Sequence, residues 1–146
     1  MTYTARADEL KAAMATVAGS GIVHNRGRLA AKWELFLALF QDPTAGGRVL
    51  GWEITRKAGT PEEDPDWLEH WELRHYRSYE DAAASELAFQ EHLDAMVRYF
   101  RDNPRLTWGV VPLGMEITLV DERSFGGVLV HYAECRLNVT CQYDQL

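Results

Sequence analysis

The residues of this chain best equipped for chemistry are five histidines, two cysteines, a serine between glycines and a run of acids. His24, His70, His75, His92 and His131 are scattered, and neither His-x-x-x-His nor Cys-x-x-Cys, the local spacings that build zinc sites, occurs. His70 and His75 differ by five, which puts them on opposite faces of a strand. Gly19-Ser20-Gly21 is not a nucleophile elbow, because that turn needs glycine two residues either side of the serine and Ala18 and Ile22 stand there. It lacks the spaced glycines and lysine of a phosphate loop and reads as a helix stop. Glu62, Glu63, Asp64 and Asp66 could attract calcium, but Pro61 and Pro65 break the alternation of ligands such a loop requires. No catalytic residue, metal or cofactor is therefore expected, and the chain reads as a non-enzyme.

The elements that would carry these residues follow from periodicity. Thr4 to Val17 is a helix with Leu10, Ala13, Met14 and Val17 on one face, and Ile22 to His24 is a short apolar run. Leu29, Trp33, Phe36, Leu37 and Phe40 recur at helical spacing up to the stop at Asp42-Pro43. Arg48 to Lys57 alternates, with Leu50, Trp52 and Ile54 inward and Glu53 and Thr55 outward; Trp67 to Tyr79 alternates too, with Trp71, Leu73 and His75 opposite Glu72, Arg74 and Tyr76. Between them Ala58 to Asp66 has no period and two prolines, so it reads as a long exposed acidic loop. Ser78 and Asp81 form a shortened capping box for a helix from Tyr79 to Asp102, buried through Ala82, Phe89, Leu93, Met96, Val97 and Phe100. Gly114 to Glu122 and Val128 to Tyr143 make a second hairpin around Arg123 to Gly127. This order predicts an α+β domain, an antiparallel four-stranded sheet with helices packed on one face, in a single domain spanning 1–146.

The last strand sets Leu129, His131, Ala133, Cys135, Leu137, Val139, Cys141 and Tyr143 on one face, with Glu134, Arg136, Asn138, Thr140 and Gln142 on the other. Cys135 and Cys141 then stand about 20 Å apart, beyond disulfide reach, as reduced core residues. Fully extended, the strand measures about 50 Å against a domain diameter of roughly 40 Å, so it must bend, bulge or project. Projection would make it an edge shared between subunits.

Composition narrows the class further. The apolar fraction of 47% and charged fraction of 25% are those of a folded globular chain. The charge of -7, from 15 basic and 22 acidic residues, repels nucleic acid and anionic membrane. The start MTYTARADEL has no apolar signal core and no stretch approaches a membrane span, so a cytoplasmic protein without a membrane partner is expected.

Trp52-Glu53-Ile54-Thr55-Arg56, the helix opening Glu80-Asp81-Ala82-Ala83-Ala84 with Phe89 inside it, and Arg123-Ser124-Phe125-Gly126-Gly127-Val128-Leu129-Val130-His131-Tyr132-Ala133-Glu134 together resemble the small prophage-encoded proteins of tail and neck assembly in long-tailed bacteriophages. Length and element order are most similar to the tail terminator. The resemblance implies a mixed α+β domain that assembles as a hexameric ring, caps the tail tube and joins it to the head or neck. It implies as partners copies of itself, the tail tube protein and the head-tail connector protein, with DNA passing through the lumen without specific binding. The place implied is the virion tail or neck, reached from the host cytoplasm. No catalytic residue comes with it.

The expected interaction residues are Glu62, Glu63, Asp64, Asp66 and Trp67 in the hairpin loop, Trp108 at a loop margin, and Arg123 and Phe125 at the second turn. The alternatives are a neck or tail-completion protein of the same module, and a small-ligand-binding α+β domain whose pocket between sheet and helices is lined by Trp52, Trp71 and His131.

Overall fold

Alternation of large apolar residues along three long strands builds the centre of the molecule. In the computed structural model, which describes residues 1–28, 33–125 and 128–146, β3 (Arg48–Pro61), β4 (Asp66–Ser78) and β6 (Val128–Gln142) lie side by side, and β5 (Met115–Phe125) closes one side. Two short strands, β1 (Ile22–His24) and β2 (Gln41–Asp42), both pair with β3. The sheet order is β1-β3-β4-β6-β5 with β2 beside it; β1 runs parallel to β3 and the other pairings are antiparallel. Among the described residues this is an α+β fold of three helices and a six-stranded, mixed, mostly antiparallel open sheet.

The expected four-stranded antiparallel sheet is thus too small and lacks the parallel pair. A three-residue apolar run such as Ile22-Val23-His24 carries too little pattern to declare its partner, which lies 29 residues on in register (Ile22 to Gly51).

Helices cover both faces, not one. Helices α1 (Tyr3–Ala15) and α3 (Ser85–Asp102) pack Ala7, Leu10, Met14, Phe89, Leu93, Met96 and Phe100 against Trp52, Ile54, Trp71, Leu73 and the odd-numbered residues of β6 from Ala133 to Cys141. On the opposite face α2 (Trp33–Phe40) sets Phe36 and Phe40 on Val49, Tyr76, Val130 and Tyr132. The face of β6 expected to be wet is therefore dry at Val130 and Tyr132, beneath α2, and wet from Glu134 onward. The expected helix start at Leu29 lies outside the described residues, as does the Gly126-Gly127 turn.

Helix α3 is positioned by packing. Phe89, Leu93, Met96 and Phe100 recur every three or four residues and are 0% exposed, each contributing about 2 kcal/mol by burial. Its start falls six residues later than the capping box predicts. Ser78 Oγ instead accepts the Val49 N–H at 2.9 Å. The chain then makes a 3-10 turn over Asp81–Ala83, passes through Ala84 at φ 51°, and enters the helix at Ser85, whose Oγ accepts the Glu80 N–H at 2.7 Å. Ala82, expected on the buried face, is exposed in that turn.

Strand β6 is interior. It pairs with β4 from Asp66–Gln142 to Ser78–Val130 and with β5 from Met115–Leu137 to Phe125–Val128. The expectation that it forms a shared subunit edge is overturned, since its N–H and C=O groups are taken on both sides. The outer edge belongs to β5, where the register slips between Ile117 and Leu119, and on the other side to the outer half of β3, where it slips between Arg56 and Ala58. Bulges at both margins blunt open-ended strand addition.

Candidate assembly surfaces

The hairpin of β3 and β4 carries the acids read as interface. Its loop is short: β3 continues through Pro61, and only 62–65 separate the strands. Gly59 permits this, because a Cβ there would stand 2.4 Å from Trp67 Cζ2, so the indole lies flat against the opposite strand. The turn closes through the Glu62 N–H to Asp66 O at 3.1 Å and the Asp66 N–H to Glu63 O at 2.8 Å, and the Tyr143 N–H ties it to the end of β6 through Pro65 O at 3.1 Å. The long aperiodic loop expected here is wrong because proline and glycine at an edge do not stop pairing toward the inner strand. Glu62, Glu63 and Asp64 are exposed and Asp66 half-buried. Together with exposed Asp144, they make no ion pair with any cation among the described residues.

Trp67 is half-buried, tilted against Tyr143 at 5.7 Å. Trp108 is not a surface residue: it is 1% exposed, beneath the Arg6 guanidinium at 5.4 Å and beside Trp71 at 6.0 Å. The loop holding it folds back, with Val111 N–H on Pro104 O at 2.7 Å and Val110 bridged to Thr140, which leaves Val110 and Leu113 outside instead. Arg123 is exposed, 4.5 Å above the Tyr132 ring. The Phe125 side chain lies outside the described part.

These residues do not form one surface. The acidic tip sits where Asp66 pairs with Gln142, while Arg123 pairs with Val130 at the Ser78 end of β4. Twelve residues of strand separate the two, roughly 40 Å. Beside the second end lies a cavity of about 240 Å³ lined by Ala45, Arg48, Val49, Leu50, Arg77, Ser78 and Glu80. Neither Arg48 nor Arg77 was singled out by sequence, since isolated arginines on alternating strands look like ordinary surface charge.

The space between sheet and helices is filled. Trp52 and Trp71 are 0% and 1% exposed, and rings stack in a continuous row of Trp52, His75, Phe89, His131 and Tyr79 with centroids 4.3, 5.3, 5.2 and 4.6 Å apart. The pocket expected there, with Trp52, Trp71 and His131 as lining, is occupied by the residues themselves. Among the histidines packed here, hydrogen bonds fix His92 as neutral. His92 Nε2 accepts the Trp52 indole N–H at 3.0 Å and its Nδ1–H meets Ala18 O at 3.1 Å. His75 donates from Nδ1 to Gly51 O at 2.7 Å, and its buried Nε2 has no partner. His131 Nε2 faces Ser85 Oγ at 2.8 Å. Burial holds all three below the ordinary histidine range, His75 furthest, with the charges of His92 and Arg77 adding to the effect on it. Burial also pushes the Cys135 thiol up to about 12.

Two polar clusters lock the sheet. Glu69, 0% exposed, receives Arg6 of α1 at 2.9 Å, Arg56 at 2.8 Å and the Trp71 indole N–H at 3.0 Å. On the α2 face Glu53, expected outward, is 1% exposed and takes the Tyr76 O–H at 2.9 Å, Arg74 Nε at 2.9 Å and the Arg28 N–H at 2.7 Å. Beyond it the uncovered sheet face forms a concavity of about 710 Å³ with Lys57, His70, Glu72, Thr118, Glu134 and Arg136 on its walls. Among the described residues no group of histidine, cysteine and acid side chains could hold a metal ion, and no helix is long and apolar enough to cross a membrane.

Set against models of known protein families the chain matches none, and a search of curated proteins finds no significant relative.

Proposed function

We propose that this chain is a structural virion assembly protein, a tail terminator or close relative that caps the tail tube and joins it to the head or neck as a ring of its own copies. The observation that supports this reading most is the separation of its acidic hairpin tip from an arginine-lined cavity at opposite ends of one long hairpin. A surface that differs at its two ends favours head-to-tail contacts, which close into rings when the rotation between copies allows. The buried histidines and cysteines belong to packing in this reading.

Tube protein and connector are the proposed partners, and DNA passes the lumen repelled by the net charge of -7. Native mass spectrometry and negative-stain imaging at high concentration, with and without tail tubes, test the reading; six-fold particles at tube ends are expected. A strict monomer that ignores tube ends overturns it. Rings that bind connectors but not tubes would instead mark a neck or tail-completion protein. The open concavity of about 710 Å³ gives the ligand-binding reading its remaining place, and heat-stabilisation of a monomer by a small metabolite would favour that reading.

A further inference from the structure

A half-buried arginine gains more from an anion or acceptor beside it than an exposed one, because the guanidinium keeps its charge and loses part of its hydration. Among the described residues the buried or half-buried arginines Arg6, Arg28, Arg56 and Arg74 have such partners: Glu69 for Arg6 and Arg56, His24 Nδ1 for Arg28, and Glu53 with Glu72 for Arg74. Arg77 is half-buried with its guanidinium nitrogens still reaching solvent, and it has neither an ion pair nor a side-chain hydrogen bond there. It lines the 240 Å³ cavity at the base of the hairpin, where the neighbouring Arg48 is already held by Glu80 at 2.7 Å. One unmatched positive charge therefore faces an open cavity.

The same hairpin supplies unmatched negative charge at its far end, in Glu62, Glu63, Asp64 and Asp66. Roughly 40 Å of strand separates tip from cavity, so a chain cannot satisfy its own Arg77. We propose that the Arg77 cavity is the socket for the acidic hairpin tip of a second copy of this chain, with a tip carboxylate paired to the Arg77 guanidinium. The proposal rests on the ring reading above and names the contact that would repeat around it. The tip is compact and tied to β6 through Tyr143, so it presents its acids without ordering a long loop on binding. DNA phosphate is the less suitable occupant, because the net charge of -7 opposes its approach.

The test uses two variants of the full chain, Arg77→Glu and the exposed triple change Glu62→Gln, Glu63→Gln, Asp64→Asn, each checked for wild-type thermal unfolding. Sedimentation velocity at low salt should show association of the wild type weakening as salt rises, and a loss of roughly tenfold or more in association for each variant. Mixed in equal amounts, the variants retain one good tip and one good socket between them. They should form a heterodimer and nothing larger, even if Arg77→Glu alone is partly unstable. Wild-type-like rings from both variants would overturn the contact while leaving the ring reading intact. A wild type that stays monomeric even with tail tubes overturns both. An Arg77→Glu protein that still assembles but loses binding to duplex DNA would assign the cavity to phosphate and overturn the proposal.

Discussion

Glu69 is a carboxylate buried in the layer between α1 and the sheet, where Arg6 and Arg56 converge on it. Alternation already groups it with Trp71 and Leu73, but nothing local in the sequence names Arg6, 63 residues away. Glu69→Ala leaves the buried Arg6 without its carboxylate, and a loss of about 3–5 kcal/mol is expected in denaturant unfolding. A loss below about 1 kcal/mol would show that water compensates Arg6. His75 gives a pH prediction. Its folded form resists protonation, whereas in the unfolded chain it titrates near the ordinary 6.5. The unfolded state therefore binds more protons as pH falls below that value, and stability present at pH 7 is lost toward pH 5 at up to about 1.4 kcal/mol per pH unit. His92, His131 and Arg77 bear on the same ring, and none supplies an anion. His75→Phe, which keeps a ring between Trp52 and Phe89, should flatten the melting temperature between pH 7 and 5; an unchanged slope would assign the effect elsewhere. Cys135 should not react with thiol reagents at pH 8 until the protein unfolds, since its thiol is buried and protonated.

Among the elements, α1 and the inward faces of β3, β4 and β6 were legible because a single apolar face repeats over many residues. Those that were misread depend on partners far along the chain. Strand β3 outlasts its periodic stretch because β4 holds it through Pro61, and α2 takes the face opposite the other helices because Phe36 and Phe40 meet Tyr76, Val130 and Tyr132 there. Gly51 is where these elements converge: a Cβ would stand 2.5 Å from Ile22 O and 2.9 Å from Phe40 Cδ1. Gly51→Ala should cost about 1–3 kcal/mol by overpacking and loosen both β1 and α2, measured by hydrogen exchange at Val23 and Phe40. Faster exchange at neither would show that the two elements dock independently of this close approach.

At the scale of the whole molecule the α+β class was legible, from the order of helical and alternating stretches. What could not be read was the position of β6, since sheet order is decided by pairings between strands more than fifty residues apart, as Ser78 with Val130. The two ends of the molecule emerge only from that order. At this scale the net charge of -7 makes a further prediction for the proposed ring: assembled copies should not retain duplex DNA at low salt, and tight retention in a filter assay would contradict the proposed repulsive lumen.

The interior place of β6 also governs how the protein is made. A ribosome synthesises it after β4 and β5, the two strands between which it lies. Until Val128 and its successors emerge, β4 keeps one edge open along its whole length, and the helices have no complete floor to pack on. Folding must wait for the nascent chain to pass this strand, and chains truncated before it should stick to one another or to chaperones.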